Sequence, residues 1–172
     1  MFNRPSQDEY GGHFGTYINL VQEGNLLDLL AENRTTTTAL FSSLSEEQAL
    51  HRYAPGKWSL KEVLGHITDT ERIMSYRLLR IARGDKTPLP GFDENEFVAG
   101  ASFDDNSISE LLEQYEAVRA STIALLKGLT PEAYLRRGIA SNTEISARAL
   151  AHVITGHEMH HINIVRERYL NQ

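Results

Sequence analysis

The chain contains no cysteine. That excludes disulfides, thiolate metal ligands and a thiol nucleophile of its own, and excludes no compartment. No stretch approaches the roughly 18 consecutive apolar residues of a membrane span. The opening MFNRPSQDEYGGHF holds no apolar run of signal-peptide length. A cytoplasmic protein without a membrane partner is expected. Lys and Arg are scattered, and the formal net charge is −6, which argues against a nucleic-acid-binding surface. There is no internal repeat, and no low-complexity tract beyond the run Thr35 to Thr38. What is present is a 172-residue chain with 41% hydrophobic content, read as a single domain over 1–172 with a sizeable core.

Residues 1–24 read as an N-terminal arm. Pro5, the Gly11-Gly12 pair and Gly15 oppose an early long helix, while Tyr10, Phe14 and Tyr17 equip the arm to pack onto the body. His13 in the arm is expected to be exposed. Apolar periodicity then predicts four long helices, at about 25–44, 59–83, 107–127 and 146–169, an all-α pattern.

Asn25 is a plausible cap for the first helix. Its four β-branched threonines weaken its middle, so tertiary packing must hold it. The turn HRYAPGK at 51–57 leaves His51 exposed. The second helix opens on a capping box, Ser59 with Glu62, and the third on another, Ser107 with Glu110. Thr130-Pro131 starts a short turn through Leu135, 138–145 is a small irregular or extended link, and Ser146 caps the fourth helix. Residues 85–106 exceed the usual loop between antiparallel helices. They fit a crossover that lets the third helix run parallel to the second, and they could close over a site.

The histidines are the unusual feature. In the fourth helix Leu150, Val153, Ile154, Ile164 and Val165 form an apolar stripe, and His157 and His161 lie within roughly 20° of its centre. Four residues apart, both can point at one atom. Buried imidazoles cost free energy unless their nitrogens are satisfied; a divalent metal ion would satisfy them, as would bonds to backbone or to Thr, Tyr or Glu side chains. His160 lies about 80° off the stripe centre, where it supports a ligand or faces a substrate. His152 points to the opposite side and is expected to be solvated. In the second helix His66 sits about 90° from the main stripe, on a flank shared with Thr70 and Ile73. It lies roughly 10 Å from the start of its helix, and His161 roughly 12 Å from the end of its own. Antiparallel helices with level ends would bring them to one height, so the geometry permits a three-histidine site.

GKWSLKEVLGHITDTER, RIARGDKTPLPGFDENEFV and GHEMHHINIVRERYL together resemble the DinB-like (DinB/YfiT) superfamily, over about Tyr17 to Leu170. The resemblance implies a four-helix bundle in up-down-down-up order, with the long crossover between its second and third helices. It implies a divalent metal, commonly nickel, zinc or manganese, held by His66, His157 and His161, and it makes a homodimer a reasonable expectation. Some members of the family are thiol-dependent transferases or isomerases that use bacillithiol or mycothiol; others are described as metal-dependent hydrolases.

Three neutral imidazoles leave a metal its full charge and open positions. An open position can deprotonate a low-molecular-weight thiol for transfer to a small electrophile, which is the first reading, or activate water for hydrolysis, which is the alternative. Lacking cysteine, the chain would need the thiol as a cosubstrate. A hydrolase also wants a carboxylate base, for which Glu62, Asp69 and Glu158 are candidates; Asp69 and Glu71 are otherwise expected to face solvent or pair with Arg72. A third reading is a non-catalytic bundle braced by metal. Thiol transfer predicts room beside the metal for two reactants, hydrolysis a carboxylate within reach, and the brace a closed site.

Overall fold

The computed structural model describes residues 3–170. In chain order the helices are α1 (Phe14–Ile18), α2 (Leu26–Ser42), α3 (Glu46–Ala49), α4 (Leu60–Ala82), α5 (Glu94–Ala99), α6 (Ile108–Lys127), α7 (Pro131–Leu135) and α8 (Ala147–Ile164). The strands β1 (Arg137–Ala140) and β2 (Thr143–Ser146) lie between α7 and α8, and α8 runs on into a widened π-helical turn, Val165–Tyr169. The long helices open on side chains that accept from their first turns: Asn25 from Leu27, Ser59 from Glu62, Ser107 from Glu110 and Ser146 from Ala149. Each such cap contributes about 1 kcal/mol.

Side-chain bonds fix the helix directions. Thr37 donates to Glu158 at 2.7 Å and Asn33 to the Thr155 carbonyl at 3.4 Å, so α2 and α8 ascend together. Arg119 reaches the Leu30 carbonyl and Thr38 reaches Glu116, so α2 and α6 run opposite ways. Lys61 donates to the Asn106 carbonyl at 2.6 Å and Arg119 to Glu71, which makes α4 and α6 parallel. The result is an all-α bundle in up-down-down-up order. The crossover that permits the parallel pair carries α5 and a 3-10 turn, Phe103–Asp105.

The link at 138–145 is a tight β-hairpin. Ser141 and Asn142 at its tip have φ of 50° and 60°, the left-handed pair of a two-residue turn whose twist matches the strands. Leu89 of the crossover bonds to Ile139 and Ser141 in this hairpin, which ties the crossover to the bundle.

The core is split in two. One apolar half gathers Leu26, Leu30, Leu78, Ile81, Leu126 and Leu150; the other gathers Phe41, Leu64, Ile67, Leu111, Ile162 and Val165. Between them lies a buried polar waist. Arg119, fully buried, bonds both carboxylate oxygens of Glu71 and, at 2.7 Å, Glu158. Glu158 also accepts from Thr37 and from the Tyr115 hydroxyl. With the Leu30 carbonyl, this network joins all four long helices. Thr37 shows why threonines are tolerated in the middle of α2: one of them is a donor to the waist.

Candidate metal centre

The waist is also where the histidines meet. His66 comes from α4, and His157 and His161 from successive turns of α8. Each of the first two follows a glycine that admits a close neighbour. A Cβ on Gly65 would stand 2.4 Å from the Phe103 ring, and one on Gly156 would stand 2.0 Å from the Tyr17 carbonyl oxygen. Glycine within a helix costs about 1 kcal/mol relative to alanine; here it lets the crossover pack beside His66 and the arm beside His157.

The three Nε2 atoms form a triangle with sides of 3.0, 3.1 and 3.1 Å. His66 and His157 are each 6% exposed, and His161 is half-buried. Burial holds all three neutral: the His66 pKa falls to about 4, that of His161 to about 3, and that of His157 well below its usual value. A neutral imidazole nitrogen either donates or accepts, not both. In a triangle, at least one of the three contacts must therefore set donor against donor or lone pair against lone pair. A cation at the centre removes that conflict. Metal–nitrogen bonds of about 2.0–2.1 Å need nitrogens about 2.9 Å apart at octahedral angles and about 3.3 Å apart at tetrahedral ones. The observed triangle lies between these, so the donor set fits a divalent transition metal.

The rings are braced by aromatic contacts. Trp58 lies against His66 with centroids 4.6 Å apart, and Tyr17 meets His157 edge-on at 5.2 Å. Beside the triangle opens a cleft of about 550 Å³. Its walls include Thr70, Met74 and Arg77 of α4, Phe92 and Glu94 of the crossover, and His13 and Tyr17 of the arm. His160 lines it too, 5.6 Å from the Tyr17 ring. His161 also borders a second cavity, beside Tyr53 and Tyr169.

The carboxylates read as base candidates are engaged elsewhere. Glu62 accepts from Ser59 and Arg52, Asp69 pairs with Arg72 at 2.7 Å, and Glu158 belongs to the Arg119 network. Glu71 does not face solvent: it is 3% exposed and paired with Arg119, because α6 covers that side of α4. His152 is likewise not solvated. It is 3% exposed, with Nδ1 3.0 Å from the Arg148 carbonyl and with Arg4 and Val21 beside it. The arm packs over the side of α8 that the bundle leaves uncovered. His13 and His51 are exposed.

Glu94, Arg77 and Tyr17 line the cleft without any sequence pattern having marked them as site residues. A signal existed for Arg77. Eleven residues after His66, it falls within about 20° of it on the helix.

The model of the DinB superfamily matches residues 29–165. An Oceanobacillus iheyensis protein, provisionally named a metal-dependent hydrolase, is 27% identical over 124 residues, 70% of each chain. Among solved structures, Bacillus subtilis YfiT, described as a probable metal-dependent hydrolase with an unusual four-helix bundle topology, aligns with TM-score 0.77 at 17% identity, covering 93% of this chain and 98% of its own. The mycothiol-dependent maleylpyruvate isomerase aligns with TM-score 0.65 at 13% identity, covering 80% of this chain and 58% of its own.

Proposed function

The chain belongs to the DinB superfamily, and from that premise we propose that it is a metal-dependent enzyme acting on a small molecule, with His66, His157 and His161 as metal ligands. One observation carries the reading: three converging imidazole nitrogens border an open cleft rather than a sealed core. A metal present only as a brace would need no such opening.

Nickel, zinc or manganese bound there would lower the pKa of a coordinated water or thiol towards neutrality. The chain's own residues do the rest. The waist fixes α8 through Glu158, and so orients His157 beside it. Trp58 and Tyr17 exclude water from the outer faces of the ligand rings. His13, His160 and Glu94 are groups in the cleft able to move a proton.

Hydrolysis, the alternative on sequence grounds, becomes the first reading, supported by the descriptions of the Oceanobacillus protein and of YfiT. Thiol transfer is the second reading. It is supported by the size of the cleft and by the second cavity at His161, which give room for a thiol cosubstrate and an acceptor.

Elemental analysis of tag-free protein tests the site. Near-stoichiometric metal is expected in the wild type and is lost in His157→Ala. A panel of small esters, amides and thiol acceptors, assayed with and without low-molecular-weight thiol, then separates the two chemistries. Protein that neither retains nor takes up nickel, zinc or manganese would overturn the proposal.

A further inference from the structure

Beyond the histidines, α4 offers the cleft a second set of groups. Thr70 is offset from His66 by about 40° around the helix and Arg77 by about 20°, and all three line the same cleft. Arg77 is 2% exposed. Of its five N–H groups, one donates to the Pro90 carbonyl and another lies 3.5 Å from the Met74 sulfur. The Phe92 ring covers the guanidinium, with its centroid 5.7 Å away.

No carboxylate pairs with Arg77 among the described residues. The other buried Lys, Arg and Glu side chains are all matched: Arg119 with Glu71 and Glu158, Lys61 with Glu46, and Glu9 with Arg148. Burial lowers the Arg77 pKa with no nearby charge opposing it. The Thr70 hydroxyl, on a residue 3% exposed, also finds no hydrogen-bond partner among the described residues. The guanidinium lacks a counter-charge and the hydroxyl lacks any partner, and one acceptor bearing negative charge on this stripe of the cleft wall would satisfy both.

We infer that Arg77 and Thr70 form an oxyanion-binding subsite, which anchors a carboxylate or phosphoryl group of the substrate while the rest of that molecule extends towards the histidine triangle. The planar guanidinium suits two oxygens of one anion, and the Thr70 hydroxyl donates to one of them. Glu94, the other formal charge in the cleft, is exposed, so its field is screened by water while that of Arg77 is not. That the anion belongs to a substrate rests on the enzyme reading above; that an anion binds here does not.

The test uses the full chain freed of metal with a chelator, so that an anion cannot bind through a metal. Butyrate, inorganic phosphate and the neutral isostere butyramide are titrated by calorimetry, and the Arg77 Nε–H resonance is followed by NMR. Butyrate or phosphate is expected to shift that resonance and to bind about tenfold or more tightly than butyramide. Arg77→Gln is expected to remove about tenfold or more of that affinity, Arg77→Lys less, and Thr70→Val several-fold. Tighter binding of phosphate than of butyrate assigns the anion as phosphoryl, and the reverse as carboxylate. Equal affinity for butyramide, or an Arg77 resonance unmoved by either anion, overturns the inference. The wild-type NMR titration decides even if Arg77→Gln loosens the crossover held at Pro90. His157→Ala should lose metal yet keep anion binding, so failure of the metal site and failure of the anion subsite give different results.

Discussion

Replacing Arg119 by methionine keeps the apolar stem and removes the only cation of the waist network. Arg119 is fully buried and bonds Glu71, Glu158 and the Leu30 carbonyl. Its loss strands two carboxylates that are 3% and 1% exposed. Breaking a buried ion pair by removing one partner costs about 3–5 kcal/mol. Total stability is typically about 5–15 kcal/mol, so a large share of it would go. For a chain of this size, Tm falls about 2–4 °C per kcal/mol, or roughly 6–20 °C here. Urea denaturation followed by circular dichroism, extrapolated to water, should show that deficit. Glu71→Gln added to the variant should recover part of it. A deficit below about 1 kcal/mol, or one that Glu71→Gln leaves unchanged, would refute the view that this network couples the four helices.

Gly156→Ala places a Cβ 2.0 Å from the Tyr17 carbonyl oxygen; displacing the arm should cost about 1–3 kcal/mol, and limited proteolysis should cut near Tyr17 faster than in the wild type. Metal-free protein should be most stable above about pH 6.5 and lose stability as pH falls, because burial depresses the folded-state pKa values of His66 and His161 to about 4 and 3, so the unfolded chain binds protons first. Added zinc should raise stability without flattening that profile in thermal melts, because metal-bound imidazoles hold no proton while the unfolded chain still takes them up, and a profile unchanged by His66→Gln would show that these rings do not set it.

The long helices, their caps and the faces carrying His66, His157 and His161 were legible in the amino-acid order, because helical period and capping chemistry act over a few residues. The crossover was legible too: a connection of its length frees α6 to run parallel to α4. The partners across the bundle were not. Glu71 and Arg119 lie 48 residues apart, and each alone reads as a surface charge; only the meeting of α4 with α6 buries them together. His152 reads as solvated because it points away from the apolar stripe, yet that face of the helix is covered by an arm whose path no periodicity encodes. The hairpin tip Ser141-Asn142 lacks the glycine that usually marks such a turn. Helical period could place Arg77 on the face of His66, but it could not show that no carboxylate would come to meet it. That depended on which segments packed across the cleft. A lone charge becomes a site only when tertiary packing removes water without supplying a partner.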